Sequence, residues 1–375
     1  MRRSLLLIPL LLLALPSCGQ DSKGANDKEN ASAKEKDAKD KAAKDKAAKD
    51  KAAKDKAWSW SLPQGLEAPP VPKDNPMSAA KVALGHKLFF DKRLSGDGSR
   101  SCYSCHQNQL GNADGRAKAL GAGDKELGRN SPTIWNVAYH SALYWDGRAP
   151  SLEKQMLGAW KGGNMGAGAD LAAKAKEVAA LDSYAAEFRE VFGLGEADQV
   201  TPEHIAMAVS AYERTLLCGG SAWDHNSLEG DAKAGWELFR GKAACATCHK
   251  GPTLSDGEFH NVGIAVIDGG DIGHGKVSGD AADNFKFRTP TLRNVSESAP
   301  YFHDGSVSDL REAVKSMASG GNPKKTKGLD ENFTDRSLSA AEIDQIVAFL
   351  GTLKCENNLD ILGEQSVPGI DAPKG

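Results

Sequence analysis

The chain has 375 residues, 26% of them charged and 40% hydrophobic, with a formal net charge of -3. So balanced a charge offers no global field for nucleic acid, and the length is that of roughly two or three domains. The apolar fraction suffices for an ordinary core, but Lys and Asp are concentrated in one N-terminal stretch.

In chain order, Arg2 and Arg3 precede an apolar run from Leu5 to Leu15, which is too short to span a membrane as a helix. Leu15-Pro16-Ser17-Cys18 ends it. This is an export signal, and it resembles the bacterial lipobox, in which Cys18 is diacylated and becomes the mature N-terminus. The alternative is ordinary signal-peptide cleavage with loss of Cys18. Gly19 and Gln20 follow, with no Asp directly after the cysteine, and the same resemblance directs the protein to the outer membrane. Residues 1–18 are thus read as a lipoprotein-type signal peptide.

Residues 19–57 read as a Lys/Asp/Ala-rich tether. Ala-Lys-Asp-Lys-Ala recurs at 38–42, 43–47, 48–52 and 53–57. A five-residue period leaves no apolar stripe, so a coiled coil is excluded. Fully helical, the spacer would reach roughly 55–60 Å.

From Trp58 onwards the readable segments are helical, so the fold class is mainly α. Asn75-Pro76 predicts an N-cap and a proline at the first helical position, ahead of Leu84, Leu88 and Phe89. Thr201-Pro202 does the same ahead of Ile205, Val209, Tyr212 and Leu216. Ser339 and Glu342 make a capping box ahead of Ile343, Ile346, Val347 and Leu350. Glycine-rich loops are predicted over 111–128, 158–168 and 263–279, and no run of alternating strands is visible. A boundary near 217–230 divides the folded part into 58–216 and 217–375.

Cys102-Tyr103-Ser104-Cys105-His106 and Cys245-Ala246-Thr247-Cys248-His249 are both CxxCH. In this motif two thiols add to the haem vinyl groups and the adjoining histidine reaches the iron. Zinc is the alternative for a single such motif, but a second copy in an exported chain points to two c-type haems. Cys218 and Cys355 are left over. An exported chain permits a disulfide between them, and two separate buried thiols are the alternative.

The chain resembles the bacterial diheme cytochrome c peroxidase family, which includes the MauG-type oxidases. The resemblance covers roughly residues 75–355. It rests on Leu88-Phe89-Phe90-Asp91, the two CxxCH motifs, Arg129-Asn130-Ser131-Pro132-Thr133, Trp145-Asp146-Gly147-Arg148, Thr289-Pro290-Thr291-Leu292-Arg293-Asn294 and Pro300-Tyr301-Phe302-His303-Asp304-Gly305.

The family implies two cytochrome c-like domains, each with one haem. The N-terminal domain, with His106 on the iron, is the peroxidatic one. The C-terminal domain relays electrons, with Met317, fourteen residues after His303, opposite His249. A thioether ligand raises the reduction potential. The alternative for Met317 is a core methionine, and MauG-type enzymes have Tyr at this place. Peroxidases of the family often carry a removable distal histidine where this chain has Ala122, so the first haem is expected to be open. His140 is the alternative ligand.

By the same resemblance Glu153 is the distal base and Trp135 lies between the haems. A solvated helix face and core packing are their respective alternatives. Leu143 stands where the family often has Gln. Asn130 with the backbone carbonyls of Ser298 and Pro300 matches a calcium site, and oxygen ligands suit that ion. The implied substrate is hydrogen peroxide and the donor a small cytochrome c or a cupredoxin. Further expectations are a periplasmic location, lipid-anchored to the outer membrane, and a homodimer. A MauG-like oxidase of a partner protein and a plain diheme electron carrier are the competing functions.

Overall fold

A computed structural model describes residues 58–181, 184–264, 270–321 and 326–355. The lipobox, the Lys/Asp/Ala repeats, part of the 263–279 loop and the C-terminal tail lie outside the described residues. No helix among the described residues is long and apolar enough to cross a membrane.

The fold is mainly α and consists of one arrangement used twice. In the first half, α1 (Ala79–Phe90) packs across α5 (Pro202–Glu213), and α2 (Leu152–Lys161) packs on α5. In the second half, α6 (Gly230–Arg240) packs across α9 (Ala340–Gly351), and α8 (Leu310–Ala318) packs on α9. Each crossing is centred on a glycine. A Cβ on Gly85 would overlap the carbonyl of Ala208, and one on Gly235 would overlap that of Gln345. Only a residue without a side chain allows backbones this close.

Additions distinguish the halves. Helices α3 (Leu171–Ala179) and α4 (Tyr184–Phe192) lie between α2 and α5. The second half carries a pair of two-residue antiparallel strands, β1 (Phe259–His260) and β2 (Phe287–Arg288), with the short helix α7 (Gly275–Ser278) between them. The apolar core is correspondingly double. One cluster contains Leu88, Phe89, Trp135, Trp160 and Tyr212, and the other Phe239, Leu254, Ile346 and Phe349.

The predicted caps at Thr201 and Ser339 are formed, each with a reciprocal capping box. Helix α5 ends at Glu213, and residues 158–161 belong to α2 instead of a loop. Asn75 is not an N-cap. Helix α1 starts at Ala79, where the hydroxyl of Ser78 accepts from the Lys81 N–H. Asn75 is buried for another purpose, described below.

Cys218 and Cys355 form a disulfide, which resolves the alternative left by the sequence. It joins the segment after α5 to the segment after α9. Ahead of α1, residues 58–78 run as a strap over this region. The Gln64 carbonyl accepts from the Gly220 N–H at 2.9 Å, and Leu66 is buried.

Candidate active site

Both CxxCH motifs lie on short 3-10 turns, Cys102–Ser104 and Cys245–Thr247. Both histidines are oriented in the same way. His106 Nδ1 is 3.1 Å from the Asn112 carbonyl and His249 Nδ1 is 3.0 Å from the Leu254 carbonyl. A carbonyl at Nδ1 requires the proton there, which leaves Nε2 as the metal-binding nitrogen. Burial lowers the pKa of both, that of His106 to about 4, so each ring is a neutral ligand at ordinary pH.

The turns are braced by a repeated Pro-Thr segment. Thr133 Oγ1 donates to the Gly111 carbonyl at 2.7 Å, and Thr291 Oγ1 donates to the Thr253 carbonyl at 2.6 Å. Three residues further on, Asn136 and Asn294 both adopt left-handed backbone, with φ of 58° and 57°. Their N–H groups donate to Leu216 and Leu353. Asn is among the few side chains that enter this conformation readily.

The second site surrounds a cavity of about 250 Å³ lined by Cys245, Cys248, His249, Met317 and Arg288. Met317 reaches it from the last turn of α8. Arg288 is buried, and burial lowers its pKa to about 10. Its Nε has no hydrogen-bond partner among the described residues.

In the first site Trp135 is 2% exposed and its Nε1 also lacks a partner among the described residues. Orphaned buried donors are costly, and a haem carboxylate bound at each site would supply the acceptor. With two thiols, an oriented histidine and an apolar cavity, the donor set fits a covalently bound haem. Cys248, Asp256 and His260 also lie close enough to hold a metal ion. However, His260 already bridges Asp330, at 2.6 Å, and Asp256, at 3.1 Å. A structural zinc site needs a fourth donor.

Glu153 lies in the first turn of α2 and does not face solvent freely. Its Oε1 accepts from Asn75 Nδ2 and from Arg214 Nη2, both at 2.7 Å. Burial opposes its charge, but the Asn75 hydrogen bond and the Arg214 cation prevail, and the carboxyl is held below its ordinary range. Beside it, burial pushes Glu213 up to about 8, with Glu153 adding to that rise and Arg214 opposing it. Leu143 is buried against Ala138, Ala149 and Leu152. Ala122 lies on a loop fastened by its N–H to the carbonyls of Gly163 and Asn164. Burial and the nearby Arg288 cation hold His140 neutral.

The junction between the halves is built from the blocks singled out in the sequence. Asn130 N–H donates to the His303 carbonyl at 2.8 Å, and Trp145 Nε1 donates to the Asn130 carbonyl at 3.0 Å. Arg129 pairs with Asp146 and Asp271. Asn130 Nδ2 donates to the Arg116 carbonyl at 2.8 Å, which turns its side-chain oxygen the other way. Spacing alone does not reveal the Asn75 and Arg214 contacts to Glu153 or the Asp330 contact to His260, because each joins segments that only the fold brings together.

Two braced CxxCH turns in a mainly α chain define a class: the diheme c-type redox proteins. Residues 79–233 match the family "Di-haem cytochrome c peroxidase", and residues 232–354 match "Cytochrome c". Over 299 residues the chain is 38% identical to the methylamine utilization protein MauG of Methylorubrum extorquens, covering 77% of this chain and 82% of that one. It is 33% identical to the cytochrome c551 peroxidase of Nitrosomonas europaea over 293 residues, covering 76% and 83%. A solved MauG-like protein associated with microbial copper homeostasis superposes with a TM-score of 0.75 at 32% identity, covering 84% of this chain and 99% of that one. The chain belongs to the di-haem cytochrome c peroxidase family, in which MauG is included, and its cofactors are two c-type haems.

Proposed function

We propose that this protein reduces hydrogen peroxide to water, taking two electrons and two protons per peroxide. The electrons come singly from a small cytochrome c or a cupredoxin. The haems, when bound, supply the iron that receives peroxide in the first half and the electron relay in the second. The observation that carries this reading is the chemical difference between the two sites. The first contains a clamped, ionised carboxylate in Glu153, and the second contains a methionine and a histidine that line one cavity.

Glu153 takes the proton from the near oxygen of peroxide and returns it to the far oxygen as water leaves. Its depressed pKa keeps the base form present at neutral pH. Trp135 bridges the halves and shortens the electron path. Residues 58–216 form the peroxidatic domain and 217–375 the relay domain. Asn130, Ser298 and Pro300 hold calcium at their junction, a role supported by the Asn130 amide, whose Nδ2 is engaged by the Arg116 carbonyl. The protein acts in the periplasm, held at the outer membrane through Cys18 and the 19–57 tether, as a monomer or homodimer. Cys18→Ala is expected to abolish labelling by radioactive palmitate.

The test of the activity is steady-state turnover of the doubly loaded protein with peroxide and a reduced donor cytochrome. A high-spin ferric EPR signal from the first haem is expected beside it. Two low-spin haems and no turnover would leave only a diheme electron carrier.

The 38% identity to a MauG protein favours a second reading, oxidation of Trp or Tyr on a partner protein. Met317 argues against it, because MauG-type enzymes have Tyr there. Mass spectrometry of co-purifying proteins after peroxide treatment separates the readings.

A further inference from the structure

We propose that Asn75 is a positioning residue of the peroxide reaction: it selects which oxygen of Glu153 faces the substrate and holds that carboxylate ionised. The proposal rests on the reading of Glu153 as the base.

Asn75 belongs to the strap ahead of α1 and precedes the residues matched to the diheme family. It is 1% exposed. Its Nδ2 donates to Glu153 Oε1 at 2.7 Å and to the Met207 carbonyl at 3.0 Å. Its Oδ1 accepts from Lys81 Nζ at 2.9 Å, and the same ammonium donates to the Pro76 carbonyl at 2.7 Å. An amide can be turned either way, and the partners decide which. Here a buried ammonium on one side and a carboxylate on the other allow a single orientation, with the NH2 towards Glu153.

Arg214 Nη2 donates to the same Oε1, at 2.7 Å. Both clamps therefore act on one carboxylate oxygen, and Oε2 takes no donor from either. A general base requires a free lone pair at a defined place, and loading both donors on Oε1 provides it. Hydrogen bonds to a carboxylate favour its charged form. The Lys81 cation adds attraction at longer range, and it is itself buried in α1. Lys81, Asn75 and Glu153 thus form a chain from α1 through the strap to α2, with Arg214 closing it from the end of α5.

A purely structural role would be to fasten the strap to α5 through the Met207 carbonyl. Infrared difference titration of the holoenzyme separates the two roles, with the carboxyl band of Glu153 identified by its loss in Glu153→Gln. Asn75→Asp keeps the size and the Lys81 contact but replaces a donor by a charge. The titration midpoint of Glu153 is expected to rise by about one pH unit or more, a tenfold change in proton affinity. The acid limb of the peroxide rate should move with it, and the KM for the donor should stay unchanged. Asn75→Ala should shift both in the same direction by less, and serves if the Asp variant does not fold. An unchanged Glu153 midpoint in the folded variants overturns the proposal. An unchanged peroxide rate in Glu153→Gln would instead overturn the reading of Glu153 as base, with the infrared midpoint still deciding the role of Asn75.

Discussion

The two halves present the same backbone slots with different side chains. Helices α2 and α8 both begin at a capped residue, Ser151 and Asp309, each accepting a hydrogen bond from the N–H three residues on. Two places after the cap, the first half has Glu153, drawn inward by Asn75 and Arg214. The second half has Arg311, on the surface and paired with Asp344. Eight places after the cap, the second half has Met317 and the first has Ala159. One repeated scaffold therefore carries a clamped carboxylate and a small side chain in one copy, and a surface arginine and a methionine in the other. The two helices differ at these two positions, while the turns, braces and crossings are alike.

The largest expected effect comes from removing the feature unique to the first half. Glu153→Gln should lower the rate of the peroxide reaction by about 10²–10⁴-fold, the range of positioned acid–base catalysis. Stopped-flow mixing with peroxide measures it, and the potential of the second haem should not move. In the unaltered protein the rate should hold at neutral pH and fall only as pH drops through the depressed pKa of Glu153. The sign follows because the ionised form is the active one.

Met317→Ala is the converse change, made in the second half. It should produce a second high-spin signal and lower the potential of that haem, with donor-driven turnover falling roughly tenfold or more. An unchanged EPR spectrum would show that Met317 is a core residue.

Stability changes should be more even. Cys218→Ser removes a link between residues 137 apart in sequence and should cost about 2–5 kcal/mol in chemical denaturation. Gly85→Ala and Gly235→Ala should each cost about 1–3 kcal/mol, because both overfill a helix crossing. A large difference between the two glycines would break the equivalence of the halves. Smallest are Thr133→Val and Thr291→Val, at about 1 kcal/mol each for one hydrogen bond.

Much of this was legible in the sequence because it is local. The CxxCH motifs, the Thr201 and Ser339 caps and the apolar spacing of α5 and α9 all depend on residues a few places apart. The blocks at 129–133, 145–148 and 300–305 that carry the family resemblance form the junction between the halves. What escaped is long-range. Asn75 before a proline has the composition of a helix start, yet its partner Glu153 is 78 residues away. Nothing in the spacing of Cys218 and Cys355 shows that the ends of α5 and α9 meet. Only the fold places Asp256 and Asp330 on either side of His260.

The disulfide has a consequence for biogenesis. Six thiols are present after Cys18, and four of them must stay reduced until haem is attached, while two must be oxidised to each other. Threaded outward from its N-terminus, as the proposed export signal requires, the chain would release Cys102 and Cys105 first, then Cys218, then Cys245 and Cys248, and Cys355 last. The correct partner of Cys218 is therefore the last to arrive, after every wrong one. Maturation becomes a race between haem ligation and thiol oxidation. The order of synthesis favours correct pairing only if both CxxCH motifs are reduced and capped by haem before Cys355 emerges to close the ring.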